Sequence, residues 1–366
     1  MIYLDNAATT KVCLEAVKAA NEAFCKNYAN PASLHSAGFK AETALENARE
    51  IIAKAAGVRS NEIYFTPSGT CADNLAICGF LKNKKGKTVI TTAFEHPAVL
   101  ECFKNLKDLN VIYLKPENGK ITPELLQKAI TPDTVFVSIC HVNNETGAVS
   151  PLNDLANVIK KSGTGAVFHT DAVQGFMKEP FNYSAVDMAS FSGHKVHAPK
   201  GIGALYIKKG IKIKPVIYGG GQENGLFSST SNVPGALAFA AAVENCNIKN
   251  NYSIVKTLCD KTKIGLENFG GKIISPQDAS PYIINAIFED YIGENIVHFL
   301  SQSEIYISTG SACSSKHSSY VYSALGLERY QKNSLRISFS EYNTEIEIGI
   351  LLENLHNALN KLIRSK

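Results

Sequence analysis

The sequence lacks any uninterrupted apolar run near the roughly eighteen residues that a membrane-spanning helix requires, so no transmembrane segment is expected. It also lacks a basic leader followed by an apolar stretch. MIYLDNAATT carries an acid at position 5, and no secretory signal is expected there. Charge of one sign is scarce: 37 Lys+Arg stand against 33 Asp+Glu, a formal net charge of +4 over 366 residues. The basic clusters KNKKGK (82–87) and KKGIKIK (208–214) are short. They read as solvated loops rather than as a nucleic-acid surface, so no direct nucleic-acid partner is expected. The nine cysteines are odd in number and form no CxxC pair. This argues against a disulfide framework or a zinc site and for a reducing cytoplasm. No internal repeat or low-complexity tract occurs.

Apolar residues make up 45% of the chain, enough for a large core. Short apolar runs recur at 63–66, 88–92, 111–114, 134–140, 166–171, 188–192 and 204–207. Helix-like spacing fills 11–28 and 40–56 before them, and 70–82, 97–107, 122–130 and 151–162 between them. Strands alternating with helices predict an α/β fold, a mostly parallel central sheet with helices on both faces. Beyond about 230 the pattern changes to helices at 234–247 and 252–268, mixed short elements, and a last helix at 344–364. The expectation is a large α/β domain over about 12–250. A smaller α+β domain would be built from 1–11 and 251–366.

In such sheets ligands gather at the carboxyl ends of the strands. SFSGHKVHAPKG (190–201) follows a strand and offers Ser192, His194 and Lys195. A lysine there can be an ordinary surface lysine. With hydroxyl and imidazole donors beside it, it also suits a Schiff base with pyridoxal phosphate. In FHTDAVQG (168–175) Asp171 is either a helix cap or the partner of a buried cation, such as a protonated pyridine nitrogen. Gln174 could donate to a phenolic oxygen. FTPSGTCADN (65–74) opens a helix with Gly69 and Thr70, whose free N–H groups make a seat for phosphate, although the P-loop spacing is absent.

His96, in EHPAVL (95–100), is either structural or a flat ring able to stack on a cofactor and move a proton. Asn143, in HVNNETG (141–147), could cap its turn or hold a substrate carboxylate. Arg336, in the alternating strand SLRISF (334–339), is costly unless paired, and a substrate carboxylate is a fitting partner. Cys313 differs from the other cysteines: ISTGSACSSKHSS (307–319) reads as a small-residue surface loop with nothing nearby to bury the thiol.

Together these segments resemble the cysteine desulfurases, pyridoxal-phosphate enzymes of the class V aminotransferase fold. The likeness runs from YLDNAATT (3–10) and NPASLHSAG (30–38) to SLRISF, and its most specific parts are FSGHKVHAPKGIGALY and STGSACSS. The GSAC form of the loop is similar to the group serving iron–sulfur assembly and tRNA thiolation. The resemblance implies a fold-type I transferase that converts L-cysteine to L-alanine. Lys195 would bind pyridoxal 5'-phosphate covalently, Asp171 would face its pyridine nitrogen, Gln174 its phenolic oxygen, and His96 would stack on the ring. Gly69, Thr70, Ser192 and His194 would hold the phosphate. Thr230 would reach it from the partner subunit of a homodimer. Asn143 and Arg336 would hold the substrate carboxylate, and Cys313 would accept the sulfur as a persulfide for an acceptor protein, either an assembly scaffold or a tRNA-thiolation protein. A thiol with that task suits a small-residue loop, and its thiolate fraction would set its rate.

The sequence departs from the family pattern at four positions. Cys71 stands where a glutamate is usual. In GGGQENGLFSSTSNVPG (219–235), Asn224 and Phe227 replace two arginines, and SST replaces SGT. Rival expectations are another pyridoxal-phosphate lyase or aminotransferase of the same fold, a selenocysteine lyase included, or a degenerate non-catalytic scaffold. Only a desulfurase requires Cys313.

Overall fold

A computed structural model describes residues 1–310 and 319–364. The strands are β1 (Ile2–Tyr3), β2 (Ile63–Thr66), β3 (Thr88–Thr92), β4 (Asn110–Leu114), β5 (Thr134–Ser138), β6 (Val167–Asp171), β7 (Met188–Ser192), β8 (Gly203–Ile207), β9 (Lys272–Ile273), β10 (Ile283–Ile287), β11 (Ile305–Tyr306) and β12 (Ser334–Ser338). The α-helices are α1 (Leu14–Lys26), α2 (Ser36–Ala56), α3 (Gly69–Leu81), α4 (Pro97–Asn105), α5 (Pro123–Ala129), α6 (Leu152–Ser162), α7 (Val233–Glu244), α8 (Ile248–Asn268), α9 (Gly293–Ser301), α10 (Tyr320–Ala324) and α11 (Glu345–Lys361).

Seven strands form the main sheet in the order β2-β8-β7-β6-β5-β3-β4. Only β8 runs against its neighbours β2 and β7. The reversal has a simple cause. Residues 193–202 between β7 and β8 hold one 3-10 turn, too short for the crossover a parallel neighbour would need. All residues of β3, β6, β7 and β8 are buried, as expected for strands covered on both faces. Successive side chains leave opposite faces. Ile90, Val137, Phe168 and Ala189 join a core shared with α1, α2 and α7. Val89, Phe136, Val167 and Met188 join a second core under α3 and α4. Each fully buried side chain of this kind contributes on the order of 1.5–3 kcal/mol.

Residues beyond α7 build a three-stranded antiparallel sheet, β12-β10-β9, backed by α8, α9 and α11 around a separate apolar core. The N-terminal segment belongs to that core: Ile2 and Leu4 lie in it, and β1 pairs in parallel with β11. Helix starts follow local chemistry. Thr344 and Glu347 form a reciprocal capping box at α11, and Thr122 accepts from the Leu125 N–H at α5. Among the described residues no helix is long and apolar enough to cross a membrane.

The topology sets the site. The loops leaving β2, β3, β5, β6 and β7 meet at one edge of the main sheet. There they face the N-terminal segment and Arg336 of β12.

Candidate active site

A cavity of about 500 Å³ opens at this edge. It is lined by Gly69, Thr70, His96, Asp171, Gln174, Ser192, His194, Lys195 and Arg336. These residues come from five separate segments of the chain.

One wall is the start of α3. Ser68 caps it, its Oγ accepting from the Cys71 N–H (3.2 Å). Gly69 allows the helix to begin close to the next loop, because a Cβ there would stand 2.6 Å from Val173 Cγ2 and 3.3 Å from Ser192 Cβ. The first turn of α3, the positive end of the helix, thus lies beside Ser192 on the cavity wall. His194 completes this side. Its Nδ1 lies 3.1 Å from Thr9 Oγ1. Burial, together with Lys195, Lys200 and Lys178, lowers its pKa to about 4, so the ring is neutral near pH 7.

Asp171 ends β6. One oxygen accepts the Val173 N–H (2.9 Å). Burial raises its pKa, while His96 and Lys195 draw it back toward ionisation. His96 caps α4, its Nδ1 accepting the Ala98 N–H (3.1 Å). Burial lowers its pKa, and the hydrogen-bond pattern then assigns the proton of the neutral ring to Nε2. Lys195 Nζ donates to the Ala7 and Ala8 carbonyls (2.6 and 2.7 Å). Gln174 Nε2 donates to the same Ala7 carbonyl (2.8 Å).

Arg336 enters from the smaller sheet and is 3% exposed. Nη2 pairs with Asp5 Oδ1 (2.9 Å), and Nη1 donates to the Asn144 carbonyl (3.1 Å). Its Nε is buried without a hydrogen bond.

Of the two roles expected for Asn143, its hydrogen bonds are those of the turn. Its Oδ1 accepts from Glu145 N, Thr146 N and Thr146 Oγ1 (3.0, 2.8 and 3.0 Å), and Nδ2 donates to the Phe94 carbonyl (2.8 Å). The amide is 1% exposed and serves the turn, whereas Asn144 lines the cavity. Thr230 is exposed and lies in a different cleft, with Phe65, Glu223 and Phe227. Cys313 lies outside the described residues. Gly310 and Ser319, which flank that segment, both line the cavity.

Sequence reasoning passed over several groups here. Asp73, Glu95 and Glu145 all line the cavity and are at most 9% exposed. Burial raises Glu95 to about 8 and Glu145 to about 7. Glu95 Oε1 accepts from Thr92 Oγ1 and Cys140 N (both 2.8 Å), while its Oε2 and Asp73 Oδ1 have no hydrogen bond. Glu145 Oε2 accepts from Ser319 Oγ (2.8 Å). The signal for Glu95 was the same as for Asp171, an acid just beyond an apolar strand. The departures at 224 and 227 also have a structure. Glu223 takes a two-point contact from buried Arg49 (2.7 and 3.0 Å), Asn224 sits at φ 54°, and Phe227 is buried in the core under α3.

The donor set fits pyridoxal phosphate. A helix start with two hydroxyls and an imidazole suits a phosphate, a carboxylate deep in the cavity suits a pyridinium, and an amine beside both suits the aldehyde. The orphaned Arg336 Nε suits a further anion.

Residues 2–351 match the family model of the class-V aminotransferases. The cysteine desulfurase IscS of Dictyoglomus turgidum is 37% identical, over 99% of this chain and 95% of that protein. Among solved structures, a NifS-like protein superposes with a TM-score of 0.93 at 37% identity, over 99% of this chain and 100% of that one. A structure titled "SspA in complex with cysteine" gives a TM-score of 0.82 at 34% identity, over 94% and 100%.

Proposed function

The chain belongs to the class-V aminotransferase family, and from that premise we infer that it is a pyridoxal-phosphate-dependent cysteine desulfurase. It converts L-cysteine to L-alanine and places the sulfur on Cys313, for delivery to an acceptor protein of iron–sulfur assembly or tRNA thiolation. The observation that carries this is one cavity holding Lys195, Asp171, His96 and Arg336, with Gly310 and Ser319, the flanks of the Cys313 segment, on its wall.

Lys195 would hold the cofactor covalently, Asp171 would face its ring nitrogen, and Gln174 its phenolic oxygen. His96 would lie against the ring, with Gly69, Thr70, Ser192 and His194 around the phosphate. Bound there, pyridoxal phosphate supplies an electron sink for the substrate's α-carbon. Arg336 orients the substrate through its carboxylate, in competition with Asp5, with Asn144 beside it. Lys195 Nζ, held by two carbonyls, is placed to take and return the α-proton. His96 Nε2–H is available to the substrate. The Cys313 thiolate attacks the substrate sulfur: an S–S bond forms, the C–S bond breaks, and its electron pair passes to the β-carbon, which takes up a proton. Alanine leaves, and a persulfide stays on Cys313.

Thr230, exposed and away from its own cavity, is proposed to serve the site of a second copy, so the working unit is a homodimer. The eight described cysteines are all free, which supports a reducing cytoplasm.

The test is alanine release from L-cysteine, with a reductant, by the native protein and by Cys313→Ala. Release by the first alone supports the reading. Equal release by both would move the reading to a lyase that cleaves C–S without this thiol.

A further inference from the structure

A line of hydrogen bonds leads from the cavity to a lysine that the proposed reaction does not use. Lys178 stands in the turn after β6 and is 6% exposed. Its Nζ donates to Gln174 Oε1 (3.1 Å), four residues back. Gln174 Nε2 donates to the Ala7 carbonyl (2.8 Å), which also accepts from Lys195 Nζ (2.6 Å). Four groups thus form one continuous line between two lysines. Lys178 Nζ lies 5.6 Å from the centre of the Tyr282 ring. Both lysines also border a second, small cavity of about 20 Å³.

The chemistry of this line dictates how the Gln174 amide points. An ammonium offers donors and no acceptor, so while Lys178 is protonated only the carbonyl end of the amide can face it. Turning the amide would set its NH₂ against the ammonium and its oxygen against the Ala7 carbonyl, losing both bonds. With Oε1 held by Lys178, Nε2 uses one N–H on Ala7 and keeps one for the cavity that Gln174 lines. A bond from a charged donor is also about twice as strong as a neutral one. Burial lowers the Lys178 pKa to about 7. Lys195, in the turn after β7, adds to this, while Glu179 of the same turn, Cys246 after α7 and Glu341 after β12 oppose it.

We propose that Lys178 is a positioning residue: it locks the Gln174 amide so that an N–H faces the cofactor's phenolic oxygen. This rests on the reading of the cavity as a pyridoxal-phosphate site. The N–H stabilises the anionic form of that oxygen. Without Lys178 only the Ala7 carbonyl would still orient the amide; an amide that turns presents its own oxygen instead, and the bound cofactor would keep its proton to higher pH.

Titrating the absorbance of the bound cofactor against pH reads this without turnover. In Lys178→Met, which keeps length but no donor, the midpoint is expected to rise by about one pH unit, roughly tenfold in proton affinity. Lys178→Arg, which keeps the donor, should return most of the wild-type midpoint. In a Gln174→Ala background Lys178→Met should add nothing, because the two act as one unit. A wild-type midpoint in Lys178→Met overturns the proposal. So does an equal shift in the Gln174→Ala background, which would make Lys178 a charge acting on the site directly. If Lys178→Met does not fold, Lys178→Gln takes its place, since its amide permits either orientation of Gln174. The same direction of shift is then expected, and the same two results overturn it. A wild-type protein that takes up no pyridoxal phosphate overturns the reading of the cavity itself, and is seen before any variant is compared.

Discussion

Replacing Arg336 by lysine keeps a cation in the cavity and removes the planar fork. In the native site one arm pairs with Asp5 (2.9 Å) and another reaches the Asn144 carbonyl (3.1 Å), leaving Nε without a partner. A lysine can satisfy Asp5 or an incoming carboxylate as a point charge, but it cannot hold a carboxylate at two points. Losing one charge-assisted hydrogen bond costs about 1.5–3 kcal/mol. At about 1.4 kcal/mol per decade, kcat/KM for L-cysteine should fall roughly 10- to 100-fold. Stability should fall less. Asp5 keeps a cation and its side chain is 21% exposed, so water screens any loss, and about 1 kcal/mol is expected in urea unfolding. The assay is steady-state alanine formation over a range of L-cysteine, with the cofactor content of each protein measured first. A kcat/KM within about twofold of wild type, at equal cofactor content, would refute the role given to Arg336.

Gly69→Ala would push a methyl to 2.6 Å from Val173 Cγ2, so overpacking of about 1–3 kcal/mol should weaken cofactor retention roughly tenfold or more, read by titrating the apoprotein with pyridoxal phosphate. Glu95 is raised from 4.5 to about 8 by burial, so the folded chain holds a proton that the unfolded chain releases between those values. Stability should therefore fall as pH rises through that window, and Glu95→Gln should flatten the fall, read by urea unfolding at several pH values. Phe176→Ala removes a ring packed 4.3 Å from Phe191 and should cost about 3–5 kcal/mol in the same unfolding assay. Mixing Lys195→Ala with Thr230→Ala subunits should restore activity above either parent if Thr230 serves the partner's site. No restoration would place both residues in one chain's site.

The sheet and the cavity were legible where the signal was local. Strands such as TVITT and MASFS are buried on both faces, and the residues at or just past the strands' carboxyl ends, His96, Asp171, Lys195 and their neighbours, meet because the topology leaves them no other place. The reversal of β8 was less legible, since it depends on a connection too short for a crossover rather than on the strand's own residues. Asn143 and Asn144 stand side by side with equal chemistry. Only the turn decides which one is buried, and it takes Asn143 through Thr146 and Phe94. The partners of Lys195 and Arg336 were out of reach for a different reason. Ala7, Ala8 and Asp5 lie 187 or more positions away and arrive through the pairing of β1 with β11. Lys178 drew no expectation, because nothing in MKEPF reports its burial.

The most direct measurement of the central claim is the mass of each cysteine peptide after brief exposure of the loaded protein to L-cysteine without reductant. The peptide carrying Cys313 should gain the mass of one sulfur atom, in step with the alanine formed. Alanine formed with no added sulfur on Cys313, or with the sulfur on another thiol such as Cys71, would contradict the account.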